Sequence, residues 1–256
     1  NVAFPFALVG PDATGGAEQI VSHIDRALVN AGLESLVVAR EGSRVAGRLI
    51  AMPPARWDEA GREQAHRLYR AAIGRVLGRR AVDIVHMHGL DFHAYLPPPG
   101  PCVLATLHLP TAWYPSDALT PQRPDTWLNC VSRSQQAACP ESPSLLAPIA
   151  NGVPVRELAA GVHARRRFAL AIGRLCPEKG YHLALAAARR AECPLLLGGD
   201  VWDCEAHRRC FAEQIAPRLD RQRRFLGPLA FARKRRLLAA ARCLVVPSLV
   251  EETSSL

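Results

Sequence analysis

Gly15 and Gly16, followed by Ala17 and Glu18, stand where an apolar run gives way to a helical pattern. Without side chains there, backbone amides at the positive end of a helix can approach an anion. The same residues also suit a tight turn that binds nothing. Arg174 and Lys179 flank a turn containing Pro177, between another apolar run and another helical pattern, and can converge as a clamp for a diphosphate. The alternative is two surface cations near a helix start, where the helix dipole disfavours positive charge. Gly198 and Gly199 end a third apolar run ahead of Asp200, and Glu251 and Glu252 precede Ser254 and Ser255. Adjacent carboxylates can hold sugar hydroxyls while nearby amides meet phosphate, or they can serve as a cap or a solvated loop.

His86 and His88 bracket Met87 at the end of a strand pattern, so both imidazoles point to one side and suit the lining of a site as well as a metal. Cys204, His207 and Cys210 share a helix face at spacings of three, but no fourth ligand is evident and no metal site is expected. The eight cysteines include no C-x-x-C pair and read as reduced thiols. The glycine pair is not G-x-G-x-x-G, and Arg40 stands where a dinucleotide enzyme places its acidic ribose ligand, which argues against a nicotinamide oxidoreductase.

The charge balance is 32 − 23 = +9, and only Lys179 and Lys234 of the 32 cations are lysines. Many arginines fall at helix-surface spacing, which reads as a solvated face. The longest uncharged stretch, from Ala94 to Ser116, is broken by six prolines and cannot form a spanning helix. The start of the chain lacks the basic flank of a cleavable signal. The expected compartment is the cytoplasm.

Positioning these groups falls to short apolar runs alternating with amphipathic stretches. Phe6–Gly10, Ser35–Ala39, Ile84–His88, Val103–Thr106 and Leu128–Val131 read as strands buried on both faces of a parallel sheet. Helical patterns run from Glu18 to Ala31, closed by Gly32, and from Asp58 to Gly78. The second half repeats the theme with strands at Phe168–Ile172, Pro194–Gly198, Arg224–Leu226 and Cys243–Val246. Its helices are expected at Tyr181–Ala191, Glu205–Ala216 and Phe231–Ala241. Pro148, Asn151, Gly152 and Pro154 interrupt both periodicities and mark a linker. The fold class is therefore α/β, with two Rossmann-like doubly wound domains, 1–154 and 155–256, facing a cleft at the carboxyl ends of their strands.

Taken in order, several short motifs resemble those of GT-B glycosyltransferases of the large glycosyltransferase-4 family. They are Gly15-Gly16-Ala17-Glu18, Asp83 to Gly89, Thr106-Leu107-His108, Val131-Ser132, Asn151-Gly152-Val153, Gly173-Arg174 with Lys179-Gly180, Phe225-Leu226-Gly227, and Val246-Pro247-Ser248 leading to Glu251-Glu252. The resemblance runs across nearly the whole chain. It implies retaining transfer of a hexose from a nucleotide-diphosphate sugar, held mostly by the second domain, to an acceptor hydroxyl held mostly by the first. A glycan, a lipid-linked sugar or a small molecule would serve as acceptor. Residue by residue, it implies that Gly15 and Gly16 lie against the donor phosphate or reacting sugar. His108 would contact the sugar near the reaction centre, Arg174 and Lys179 would bind the diphosphate, and Glu252 would be the first glutamate of the family's E-x7-E pair. Gly199 and the backbone of Ser254, Ser255 and Leu256 would complete the donor site.

No Asp-x-Asp pair occurs, so no metal cofactor is expected and the fixed cations take its place. The second glutamate would fall at 252 + 8 = 260, beyond Leu256, so the second domain reads as truncated. A sugar-nucleotide epimerase could use the same architecture. A third reading, a basic binding module, would draw on Arg221, Arg223, Arg224, Arg233, Lys234, Arg235 and Arg236. With neither interleaved aromatics nor a helix-turn-helix pattern, nucleic acid is not an expected partner. Weak peripheral association with the inner face of the membrane, through the basic helix from Asp58 to Gly78, is the remaining partner expectation.

Overall fold

The computed structural model describes residues 1–254. The chain divides into two compact units, Asn1–Gly152 together with the segment from Thr253 onward, and Val153–Glu252. Each is built on parallel strands with helices between them. Among the described residues no helix is long and apolar enough to cross a membrane.

In the first unit the order is α1 (Gly16–Asn30), β1 (Leu36–Arg40), β2 (Arg48–Met52), α2 (Glu59–Leu77), β3 (Ile84–Met87), β4 (Cys102–Leu107), α3 (Ser116–Leu119), β5 (Thr126–Cys130) and α4 (Arg133–Ala137). β1 pairs with β2, and β4 pairs with both β3 and β5, all in parallel. Val2 joins these two pieces by bridging Val38 and Met87, its amide donating to the His86 carbonyl at 2.7 Å. The sequence across the sheet is thus β2-β1-Val2-β3-β4-β5, the strand order of a Rossmann sheet with Val2 at its centre.

That central place was expected of Phe6–Gly10, which instead forms turns and loop. Pro5 has no amide to give a ladder. Phe4 and Phe6 turn their rings onto Trp57, with centroids 6.0 and 4.7 Å away. β2 has no counterpart among the expected strands: its short apolar run, Leu49–Met52, lies on an edge strand that is mostly exposed or half-buried, and Pro53 and Pro54 follow it directly. The helix boundaries follow the sequence signals. Asp58 Oδ1 accepts from Gly61 N at 2.8 Å to cap α2. Gly32 (φ +75°) lies just past the end of α1, where Leu33 N closes the last turn onto Leu28 O at 3.0 Å. Met87, Val103, Leu107 and Leu128 pack with Tyr69, Ile73 and Tyr95 into the core, each such side chain contributing about 1.5–3 kcal/mol by leaving water.

The second unit runs α5 (Val155–Ala159), β6 (Ala169–Ile172), α6 (Tyr181–Arg190), β7 (Leu195–Gly198), α7 (Glu205–Cys210), β8 (Arg223–Phe225), α8 (Phe231–Ala240) and β9 (Cys243–Leu244). Its parallel sheet has the order β8-β7-β6-β9, again the beginning of the Rossmann pattern. Alternate residues of β6 serve opposite faces. Ala169 and Ala171 pack with Leu185 and Leu197, whereas Leu170 packs with Phe168, Leu237 and Leu238. Burial on both faces is what made the run continuously apolar. The helix expected over Glu205–Ala216 is α-helical only to Cys210, continuing as a π turn (Phe211–Ile215) and a 3-10 turn (Ala216–Arg218). Pro217, with no amide and a ring that crowds the preceding turn, ends the regular helix.

Candidate functional site

The second unit gathers charge at the carboxyl ends of β6 and β7. The segment after β9 is fastened to the loop between β6 and α6: Leu249 N donates to Glu178 O at 2.8 Å. Gly180 sits at φ +62°, and a Cβ there would meet the Pro247 carbonyl oxygen at 2.2 Å. This close approach delivers Glu252 to Lys179, with Nζ 2.6 Å from Oε1, and the Ser248 hydroxyl donates to the same oxygen. Arg174 lies 3.5 Å from Glu178 and spreads its guanidinium 4.7 Å from the ring centroid of Trp202. Burial alone would raise the Glu252 carboxyl. The hydrogen bonds from Lys179 and Ser248, with the charges of Lys179 and Arg174, outweigh it and hold the group below its ordinary value. Glu178 is likewise lowered against its burial by a backbone hydrogen bond, by Cys176 and by the charge of Arg174. Arg174 and Lys179 thus each hold a carboxylate, Glu178 and Glu252 respectively.

Gly199, at φ +153°, brings two loops together. Its amide donates to Gly227 O at 2.9 Å, and a Cβ would stand 1.8 Å from the Gly173 carbonyl oxygen. Only glycine permits the loops after β6 and β7 to approach so closely. Ser254 is half-buried in the segment beyond Glu252; Ser255 and Leu256 lie outside the described residues. Among the described residues Cys204, His207 and Cys210 do not form a ligand group; His207 instead joins Cys176 and Glu178, whose donor atoms all lie within 4.8 Å of one another.

The first unit presents a buried polar row. His86 Nε2 is 2.7 Å from Thr106 Oγ1, which donates to Asn129 Oδ1 at 2.7 Å, so the row crosses β3, β4 and β5. His88 and His108 follow directly after β3 and β4, with His88 Nδ1 and His108 Nε2 3.1 Å apart. As expected, His86 and His88 point the same way, their ring centroids 4.0 Å apart. Burial, the largest cause in each case, lowers His86 to about 3 and His108 to about 4, and carries His88 well below its ordinary value. All three imidazoles are neutral at pH 7.

The tautomers follow from the hydrogen bonds. Asn1 Nδ2 donates to Ser35 Oγ at 3.4 Å, so its Oδ1 is the atom facing His88 Nε2 at 3.3 Å. Neutral His88 must donate there and accept at Nδ1, which makes His108 the Nε2–H tautomer. His108 Nδ1 is then a bare lone pair, buried and without a partner among the described residues. An atom in that state is an acceptor for a hydroxyl.

Gly15 caps α1 with no side-chain hydrogen bond, and Gly16 is its first residue. A Cβ on Gly15 would collide with the Glu18 carboxylate at 1.8 Å, so that carboxylate folds back over the helix start. Sequence reasoning did not single out Trp202, Glu178 or Ser248 as site residues. Trp202 was the most accessible of them, since it stands three residues past Gly199 in the loop after a strand's carboxyl end.

Two α/β units with parallel sheets in Rossmann order, each with polar groups at the carboxyl ends of its strands, make up the described chain. Over 100% of its length the chain is similar to the crystal structure of AviGT4, a glycosyltransferase involved in avilamycin A biosynthesis. The TM-score is 0.66, with 23% identity and 74% of that chain covered. At that identity the likeness is one of fold. No protein-family model matches the sequence, and no curated protein matches it.

Proposed function

We propose that the chain is a glycosyltransferase of the glycosyltransferase-4 kind, moving a hexose from a nucleotide-diphosphate sugar to an acceptor hydroxyl with retention at the anomeric carbon. The observation that carries this reading is the contact of Lys179 with Glu252 beside Arg174, in a chain whose fold is similar to a glycosyltransferase. When the glycosidic bond to the diphosphate breaks, negative charge builds on the leaving phosphate. Lys179 and Arg174 are fixed cations able to stabilise it, in the role that a metal ion has in other transferases. The donor phosphates would take over these cations, and Glu252, freed toward the sugar, would accept from its hydroxyls. His108 would accept a sugar hydroxyl at Nδ1, and Gly15, Gly16 and Gly199 would let backbone come close to the donor. Ser254, Ser255 and Leu256 would offer backbone amides. Residues 155–256 would hold the donor and residues 1–154 the acceptor.

Release of nucleoside diphosphate from a panel of UDP-, GDP- and ADP-sugars, with EDTA present and mixed glycan acceptors supplied, tests the proposal. Release from one donor that survives EDTA and is lost in Lys179→Ala is the expected result. Epimerised nucleotide sugar formed without acceptor, or no donor consumed at all, would overturn it.

A further inference from the structure

At the other end of the second unit's sheet, toward the amino ends of β6, β7 and β8, lies a cavity of about 720 Å³. Six arginines line it. Arg166 and Arg167 come from the segment entering β6, Arg221 and Arg224 from the approach to β8 and from β8 itself, and Arg233 and Arg236 stand three apart on α8. Phe168, Leu196, Leu226 and Leu237 supply apolar lining behind them, and no aspartate or glutamate lines the cavity.

None of the six side chains makes an ion pair or hydrogen bond with a described residue. Some cations of the same unit are paired: Arg223 with Asp220, Arg209 with Glu213 at 2.9 Å, and Arg235, which donates to Glu157 O at 3.1 Å. The fold thus splits the basic run of the sequence into paired cations outside the cavity and unpaired cations around it. Like charges around a concave surface repel one another and focus a positive potential into the space between them. Guanidinium forks match phosphate oxygens. The six arginines are exposed and the cavity opens to solvent, so a compact polyanion can reach several of them at once.

We propose that this cavity binds a compact ligand carrying several phosphate groups, at a site separate from Arg174, Lys179 and Glu252. The inference goes beyond the transferase reading and does not depend on it.

The test is calorimetric titration of inorganic tripolyphosphate into the purified chain and its variants, with thermal melts alongside. In Lys179→Ala, which removes a cation from the proposed diphosphate site, one-to-one binding is expected to remain; adding Arg233→Ala/Arg236→Ala should weaken it roughly tenfold or more, and adding Arg209→Ala should leave it unchanged. Without ligand the Arg233→Ala/Arg236→Ala variant should melt no lower than the parent, because like-charge repulsion has been relieved, and tripolyphosphate should raise its melting temperature less than that of the parent. Loss of binding in Lys179→Ala would assign the anion to the nucleotide site and overturn the proposal. So would absence of both binding and melting shift in the parent, or tighter binding to duplex DNA or anionic phospholipid vesicles than to tripolyphosphate.

Discussion

At the carboxyl ends of its strands the first unit carries three buried imidazoles held neutral, whereas the second carries a lysine, an arginine and two carboxylates in contact. The scaffolds beneath them share their strand order. In the first unit burial dominates, because nothing of opposite charge stands close enough to offset it. In the second, ion pairs and hydrogen bonds outweigh burial and keep Glu178 and Glu252 ionised. The difference teaches that partners, not fold, fix the charge state at equivalent places.

The change expected to break this contrast most severely is Lys179→Ala. It removes a cation from the leaving group and leaves Glu252 without its ion-pair partner, and the turnover number should fall roughly 10²–10³-fold. Gly199→Ala comes next. The added methyl must displace the Gly173 carbonyl at a positive φ, costing roughly 3 kcal/mol, to be read as a lower urea midpoint. A midpoint within error of the parent would show that the loops do not need the approach. His108→Ala removes one hydroxyl acceptor, so turnover should drop about tenfold with the affinity for nucleoside diphosphate unchanged.

A subtler contrast lies in pH. His86 and His108 titrate at about 3 and about 4 in the folded chain against 6.5 for an ordinary imidazole. The unfolded chain therefore takes up protons first as pH falls. The imidazole contribution to stability should be level above 6.5 and decline steadily from there toward about 4, on top of the decline between about 8 and about 6 from the buried Asn1 amino group. The lowered Glu252 carboxyl withdraws its contribution only as pH falls through its own depressed value, below the ordinary carboxylate range. The difference between urea melts at pH 7 and pH 5 includes the imidazole part, and equal midpoints would contradict burial of neutral histidines.

Much of this arrangement was legible in residue types. Parallel strands buried on both faces announced themselves as apolar runs, and Asp58 and Gly32 marked helix ends, because each signal is local. The strand expected at Phe6–Gly10 is absent because the run divides its contacts, Phe6 stacking on Trp57 and Val9 packing with Ala3, Val21 and Val37, contacts with no sequence-local trace. Lys179 and Arg174 could be singled out as a pair of cations from their spacing. Their carboxylate partners could not, since Glu252 is 73 positions from Lys179 and reaches it only through the close approach at Gly180. The basic run from Arg221 to Arg236 looked uniform, and only the fold separates its paired members from those facing the cavity.

The division of labour between the two units is tested most directly by titrating nucleoside diphosphate into the parent chain, Lys179→Ala and His108→Ala under calorimetry. The account predicts that Lys179→Ala loses most of the affinity and His108→Ala keeps it, although both turn over more slowly. Affinity lost in His108→Ala and retained in Lys179→Ala would contradict it.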